Sequence, residues 1–593
     1  MRASSFGYGA LVLVAAAIAG IDGRLVLPFS VQLNAYKHRH SLDAITRQTL
    51  EQQVAEYYQG SGFPRAGRSL AQKVAEADAF LTREIGKTNL VGVGVSVVYE
   101  DAVVMSKGYG SLQANESSKA VTSKSLFQIA SVTKTMVAIG IALLVDEGKL
   151  GWTDTVKKHL PWFKLADPYV EKHLTIGDLL AMNSGFGRRP DAADDIGAFP
   201  TEREYVEALQ FIKPERSLRE KYEYSNTNYV ILGQVLEGVS GMPWHQFLKE
   251  RVWQPLGMNR TFASISFIPR ELYGEVNAGH NDCADGVMGP FDIVTAPQMH
   301  LPPGRKQFLD ASGSVVTSPS DMATFMRLLL NKGSVDGTQL FKSTTTIAEM
   351  IRGKAVVDED FETYNSQMGF QFESDGNTLA SGYGFDTVGP VMWGRPYYDK
   401  GGDLIGHATR TGFAPVDRLG VAVFSNTEPY AFRVGFNVDQ FRSYLMGIFL
   451  DVPKSILDFE YARWTHYTPL PPPFPGATPN NYCFGPTPEL PLSSKQQDLL
   501  IGTYESIDAP QYFPRIKITR DTRDTSKLFV SYGVIASRLT LAEKENDTWY
   551  LMILEPSATP IAATVDEATG RVDIDAGVEF RKVVSEVDSR SFA

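Results

Sequence analysis

The stretch FQIASVTKTMVAIGIALLVDEGK, Phe127 to Lys149, constrains the chain more than any other. Apolar residues run from Val132 through Met136, Val137, Ile139, Ile141, Leu143, Leu144 and Val145. A helix with so little polar surface must be buried inside a large globular fold. Gly148, after Asp146-Glu147, supplies the left-handed stop. Only the first turn is polar. Ser131 and Lys134 stand three apart there and share a face. Two readings are open at this point: Ser131 is an ordinary helix cap with Lys134 reaching for solvent, or the pair does chemistry.

At 593 residues and 65.4 kDa the chain exceeds what one hydrophobic core holds, which predicts two or three domains. A formal net charge of -11 without a long basic run excludes nucleic acid or an anionic membrane as the principal partner. A small neutral, zwitterionic or peptide-like ligand is compatible with it. The N-terminus has one early arginine, an apolar run from Ala10 to Ile18 and small residues at Ala17 and Ala19, the layout of a cleavable secretory signal. Read as a signal anchor instead, it falls short of the roughly 20 residues that span a bilayer. The sequons at Asn115, Asn259 and Asn546 fit a secreted glycoprotein. Two cysteines, Cys283 and Cys483, allow one disulfide and exclude a disulfide scaffold.

Along the chain, β-branched residues alternate around Glu100-Asp101 in LVGVGVSVVYEDAVVMSKGYG and predict a hairpin. Helical segments follow the Ser131 helix, among them LTIGDLLAMNSGFG, TNYVILGQVLEGVSG and GSVVTSPSDMATFMRLLLNKG, and LGVAVFSN reads as a buried strand. A proline-rich passage opening at Leu470 reads as a semi-rigid linker. Beyond it, short alternating segments from IGTYES to VEFRKVV predict a small, detached all-β sandwich or barrel.

Ser131-Val132-Thr133-Lys134 is the only S-x-x-K in the chain. A serine hydroxyl needs an adjacent base to become a nucleophile, and a lysine three residues on supplies one where desolvation favours its neutral amine. Amides at a helix start point toward a developing oxyanion. Downstream, Tyr224-Ser225-Asn226 is either a polar cap before the next helix or the source of a second proton-transfer group. No G-x-S-x-G elbow is present, against an α/β-hydrolase. His280-Asn281-Asp282-Cys283 reads as a polar loop rather than a metal corner, since no H-x-x-x-H or paired C-x-x-C accompanies it. No metal or organic cofactor is implied.

FQIASVTKTM, YSNTNY at Tyr224 to Tyr229 and GHATRTGF at Gly406 to Phe413, in that order, resemble the serine β-lactamase-like, penicillin-binding family. The likeness is to its branch of class C β-lactamases, D-alanyl-D-alanine carboxypeptidases and esterases, and covers roughly 90 to 426. LTIGDLLAMNSGF and GSVVTSPSDMATFMRLLL also match family segments. The resemblance implies an α/β (α+β) fold: an antiparallel sheet flanked by helices, with a helical subdomain, followed here by the small all-β domain. By position it implies Ser131 as acylated nucleophile, Lys134 as its activating partner, Tyr224 as proton shuttle and Asn226 as holder of the substrate amide. On the third motif the sequence departs. His407 is kept where the family has H-x-G, but Thr409 replaces the glycine that lets a substrate backbone lie close. A second register reads Arg410-Thr411-Gly412 as the lysine-threonine-glycine analogue, with Arg410 binding a substrate carboxylate. The first register expects the second oxyanion amide from Arg410.

The expected organisation is a signal peptide over 1–19, an extension over 20–70, a catalytic domain over 71–450, a linker over 451–492 and a β-domain over 493–593. The expected function is acyl-enzyme hydrolysis of an amide or ester, such as a small D-peptide or a β-lactam-like ring, by a secreted protein. The alternative is a catalytically impaired scaffold whose altered GHATRTGF strand has lost the oxyanion geometry. A third option is that the β-domain binds a ligand of its own. Sequence sets neither the oligomeric state nor the substrate.

Overall fold

The computed structural model describes residues 65–583 except 284–285, 292–309, 358–378, 430–436, 465–489, 523 and 555–558, together with 48, 49 and 52. The expected signal over 1–19 and most of the 20–70 extension lie outside the described residues. Helix α1 (Leu70–Ile85) opens on a reciprocal cap, Ser69 accepting from the Gln72 amide while the Gln72 side chain takes the Ser69 amide.

The expected hairpin forms between β1 (Gly92–Tyr99) and β2 (Ala102–Gly110). Its turn residues Glu100 and Asp101 sit at φ 51° and 72°, the left-handed pair that a two-residue hairpin turn requires. Seven more strands complete one antiparallel sheet: β3 (Ala355–Val356), β4 (Ala380–Gly382), β5 (Phe385–Met392), β6 (Arg395–Asp399), β7 (Gly401–Leu404), β8 (His407–Ala414) and β9 (Leu419–Ser425). The order across the sheet is β2-β1-β9-β8-β6-β5-β4-β3, with the short β7 paired to β8 alone.

Strand β9 is buried along its whole length, as LGVAVFSN predicted. Its side chains alternate between two cores. Leu419, Val421 and Val423 join a cluster with Phe80 of α1, and Ala422 and Phe424 join the core that holds the Ser131 helix.

That helix is α2 (Thr133–Asp146), and every residue from Thr133 to Leu144 is buried. Truncating one of its large apolar side chains to alanine removes roughly 2–5 kcal/mol of stability. Ser131 is not its cap. It lies in a tight turn over Ala130–Val132, with Val132 at the cap position and no side chain bonding the helix amides. Ala130 is held at φ 44°, a left-handed conformation that costs a non-glycine residue energy and clusters at functional turns.

The helical subdomain contributes the short α3 (Asp191–Asp195) and α4 (Thr227–Ser240), the latter ended by Gly241 at φ 73°. Helices α2 and α4 touch where α2 has a glycine: a Cβ on Gly140 would lie 2.7 Å from Leu236 Cδ1. Helix α5 (Pro319–Leu330) packs near β1 and β9, capped by Ser318, which accepts from the Asp321 amide. Helix α6 (Asn437–Phe449) covers the other face, its Tyr444 stacked on Phe80 at 3.7 Å.

Two expectations change here. The linker does not begin at 451, because α7 (Lys454–Trp464) buries Ile456, Leu457, Phe459 and Trp464 in the core shared with α1 and α6. The proline-rich part, 470 onward, lies outside the described residues up to 489. Nor is the C-terminal module detached. After α8 (Ser494–Leu500) a closed, sequentially ordered barrel forms from β10 (Gly502–Ser506), β11 (Ile516–Arg520), β12 (Leu528–Tyr532), β13 (Ile535–Glu545), β14 (Thr548–Ile553), β15 (Thr559–Asp566), β16 (Arg571–Asp575) and β17 (Glu579–Lys582). Its interior is filled by alternating side chains such as Ile516, Val530, Leu551 and Phe580. Burial draws it onto the helical subdomain, where the hydroxyl of buried Tyr512 donates to Pro190 O at 2.8 Å and the Val534 amide donates to Ile196 O at 2.8 Å.

Cys283 is buried and disulfide-bonded. Cys483 lies outside the described residues. No helix among the described residues is long and apolar enough to cross a membrane.

Candidate active site

The turn before α2 presents Ser131 beside two other groups. Lys134 Nζ donates to Ser131 Oγ at 2.9 Å, to Asn226 Oδ1 at 2.7 Å and to Ser312 O at 2.8 Å. The Tyr224 hydroxyl meets the same Ser131 Oγ at 2.7 Å. Four expected site residues, Ser131, Lys134, Tyr224 and Asn226, are therefore brought together. Asn226 and Ser312 take two of the nitrogen's protons, and Ser131, whose hydroxyl donates as well as accepts, fits either an amine or an ammonium at the third position. The Tyr224 phenol is the other proton acceptor within reach of the serine.

That phenol is tuned to the task. Burial pushes it up, but the ammoniums of Lys134 and Lys400 more than reverse this and leave it below the ordinary tyrosine value. Lys400 Nζ lies 5.1 Å from the centre of the Tyr224 ring, donates to Asp386 Oδ2 at 2.6 Å and to Gly401 O at 2.9 Å. Burial pulls Lys400 down, yet Asp386 and Tyr224 hold it above the usual lysine value. Sequence reading missed Lys400. Its signal was a Lys-Gly-Gly run directly after a strand rich in aromatics.

The strand beside the nucleophile is β7, not β8. A Cβ on Gly402 would lie 2.2 Å from Ile129 O, 2.9 Å from Ser131 N and 3.0 Å from Val132 N. The close approach that asks for glycine occurs there. In the ladder Gly402 faces Thr409 and Leu404 faces His407, so the GHATRTGF strand stands one place behind. His407 is fully buried near Gly279, whose added Cβ would come 3.2 Å from the imidazole, and Thr409 is fully buried as well. Arg410 donates to Asp439 Oδ2 at 2.7 Å and to Asp403 Oδ1 at 2.8 Å. Burial pulls its guanidinium down and those two carboxylates hold it above the usual value. His407, Thr409 and Arg410 are thus placed in the sheet interior rather than with Ser131.

A second set of residues holds the first. Asp191, at the start of α3, accepts from Asn226 N at 2.7 Å, Thr227 N at 2.9 Å, Thr227 Oγ1 at 2.7 Å and Ser225 Oγ at 3.1 Å. It caps α4 from across the subdomain, in place of a local cap side chain. Burial pushes its carboxyl up, and the amide and hydroxyl donors reverse this only in part. Asp310 accepts from the Ser312 amide at 2.6 Å and so aims the carbonyl that meets Lys134. Neither carboxylate was foreseen.

The Beta-lactamase family pattern matches residues 69–439, which include all of these groups up to Asp439. Protein flp of Staphylococcus aureus strain MW2 is 25% identical over 258 residues, 43% of this chain and 49% of its own. Unguisins hydrolase ungD' of Aspergillus campestris is 25% identical over 274 residues, 45% of this chain and 48% of its own. The chain spans about half the length of the curated relatives it matches. Among solved structures, the octameric penicillin-binding protein homologue from Pyrococcus abyssi aligns with a TM-score of 0.49 at 18% identity, covering 86% of this chain and 100% of that one. The D-amino acid amidase from Ochrobactrum anthropi SV3 aligns with a TM-score of 0.47 at 20% identity, over 64% of this chain and 96% of that one.

Two outcomes are expected. Gly402→Ala drives a methyl into the backbone of the nucleophile turn, lowers the melting temperature and, in protein still folded at the assay temperature, lowers the rate of fluorophosphonate labelling about a hundredfold or more; labelling at the wild-type rate contradicts this placement of β7. Lys400→Met removes one of the two charges that depress the Tyr224 phenol. Its phenolate then appears only at higher pH, so the rising limb of the pH–labelling profile moves in the alkaline direction, and an unmoved limb contradicts the electrostatic role.

Proposed function

The chain belongs to the Beta-lactamase family, and from that premise we propose that it is a serine hydrolase that cleaves an amide or ester through an ester on Ser131. One observation carries the reading: a single serine oxygen lies within hydrogen-bonding distance of both the Lys134 ammonium and a tyrosine whose phenol is electrostatically depressed. As Ser131 Oγ bonds to the substrate carbonyl carbon, its proton passes to the Tyr224 phenolate and the carbonyl electron pair moves onto oxygen. The Ser131 amide meets that oxyanion. The second donor is the Asp403 amide. Thr411 N donates to Lys400 O at 3.1 Å, and antiparallel alternation then pairs Gly402 with Thr409 and turns the Asp403 N–H outward from β8.

When the tetrahedral adduct collapses, the leaving amine or alkoxide takes the proton from Tyr224. Water then enters, gives its proton to the phenolate, attacks the ester carbon and returns Ser131 with its proton. Asn226, whose Oδ1 is committed to Lys134, has Nδ2 left to donate to a carbonyl on the acyl side of the substrate. Lys400, 5.1 Å from the ring centre, supports the phenolate as a second cation. The substitution at Thr409 that motivated the scaffold alternative lies on β8, whereas the close approach to Ser131 that asks for glycine is made by Gly402 on β7.

Small D-peptides, β-lactam-like rings and simple esters all present the carbonyl this site handles. A relative described as a hydrolase supports the general class. A secretory route is part of the proposal. It rests on the leader-like N-terminus, on the disulfide-bonded Cys283 and on the exposed positions of Asn115, Asn259 and Asn546.

Intact-mass measurement after exposure to a panel of esters and D-peptides should show an acyl adduct on Ser131, absent from Ser131→Ala. A wild type that acquires no adduct and no fluorophosphonate label would sink the hydrolase reading. Expressed in a eukaryotic secretory host, the protein should appear in the medium without residues 1–19 and lose mass on endoglycosidase treatment; retention inside the cell with the leader intact argues against secretion.

A further inference from the structure

We propose that the C-terminal barrel is a positioning element of the acyl-transfer site, acting through Tyr512 on the segment that carries Asp191. The kinetic consequence rests on the hydrolase reading above; the structural coupling does not.

Asp191 is the group that fixes the Tyr224-Ser225-Asn226 turn, and three of its four donors belong to Asn226 and Thr227. Its own support is slight. Helix α3 spans five residues and begins at Pro190 without any side-chain cap bond. The barrel holds both ends of this segment. At one end Tyr512, 2% exposed, donates its hydroxyl to Pro190 O at 2.8 Å, one peptide before Asp191. At the other the Val534 amide donates to Ile196 O at 2.8 Å, just past α3. The turn that delivers Val534 contains Gly533 at φ 58°, where a Cβ would stand 2.3 Å from Ile196 O. An Arg189–Asp508 ion pair at 2.9 Å adds a solvent-exposed contact of small worth.

A second arm starts from the same tyrosine. The Tyr512 ring packs on Phe199 at 5.4 Å, and Phe199 packs on Tyr205 at 5.3 Å. Buried Tyr205 bonds Thr227 Oγ1 at 2.6 Å. Because Thr227 Oγ1 itself donates to Asp191, the Tyr205 hydroxyl is the donor in that pair. Tyr512 thus reaches Asp191 through the Pro190 backbone and the Asn226–Thr227 turn through Phe199 and Tyr205. Asn226 in turn is, with Ser312 O, one of the two acceptors among the described residues that aim Lys134 at Ser131. Small displacements of such positioning groups are costly to acyl transfer.

The test uses the full-length chain with Tyr512→Phe, which keeps the ring and removes only the hydroxyl, and Gly533→Ala, which disturbs the other tether. Hydrogen exchange read by mass spectrometry should quicken in the peptide holding Asn226 and Thr227 in both variants while the barrel strands keep their protection. With p-nitrophenyl acetate, kcat should fall roughly tenfold to a hundredfold with KM within about twofold. Asp508→Ala should leave both readouts at wild-type values. Wild-type exchange at 226–227 together with wild-type kcat in Tyr512→Phe and Gly533→Ala overturns the proposal. If the wild type turns over no ester and takes no label, the hydrolase reading fails and the exchange measurement still decides the coupling. Loss of barrel protection with unchanged exchange at 226–227 likewise overturns it.

Discussion

The Lys134 ammonium is the charge around which the rest of the site is built. It lies fully buried at the start of a helix that offers it no polar neighbours beyond the first turn. Taking an ammonium out of water costs several kcal/mol even after relaxation, and three acceptors supplied by three separate parts of the chain offset that cost. One is the nucleophile, one is the Asn226 side chain and one is the Ser312 backbone. Meeting all three contacts fixes the mutual placement of α2, the turn before α4 and the loop before α5. Asp191 and Asp310 stand behind the second and third acceptors, and both carboxyls feel the lysine charge.

Seen this way, the depressed phenol of Tyr224 follows from the same charge. The positive charge of Lys134 acts on the phenol by field and by hydrogen bond. A second cation, Lys400, enters from the sheet with Asp386 beside it. The tyrosine between them is the residue whose protonation the surroundings are arranged to change.

Much of this was legible in the sequence, and the parts that were not share a physical reason. Ser131, Lys134, Tyr224 and Asn226 lie in local motifs attached to strongly patterned helices, and their convergence was foreseen. The β1–β2 hairpin was foreseen from alternation and β9 from its unbroken apolar run, while the antiparallel sheet that joins them was expected from the family resemblance. The edge strand was misplaced because β7 and β8 are consecutive, joined by a two-residue turn, and both stand close to glycine and a cation, Lys400 just before β7 and Arg410 on β8. Which of them faces the nucleophile depends on pairing across the sheet, which leaves no one-dimensional trace, and the histidine in GHATRTGF drew the eye to the wrong strand. Asp191 was invisible for a related reason: it caps a helix that begins 36 positions later, so no capping signature appears beside that helix. The barrel was recognised from regular alternation, while its docking on the helical subdomain depends on contacts such as the Tyr512 hydroxyl on Pro190 O and the Val534 amide on Ile196 O.

The glycine at position 140 has a meaning that its place in the apolar core conceals. Helices α2 and α4 and the turns that lead into them carry opposite halves of the reacting constellation, and the separation of the two helices is set where Leu236 crowds into the space a side chain would fill. A missing methyl group therefore acts as the gauge for the gap between nucleophile and proton carrier, nine residues beyond Ser131 on one side and, at Leu236, twelve beyond Tyr224 on the other. Chemistry at Ser131 is calibrated by a side chain that is not there.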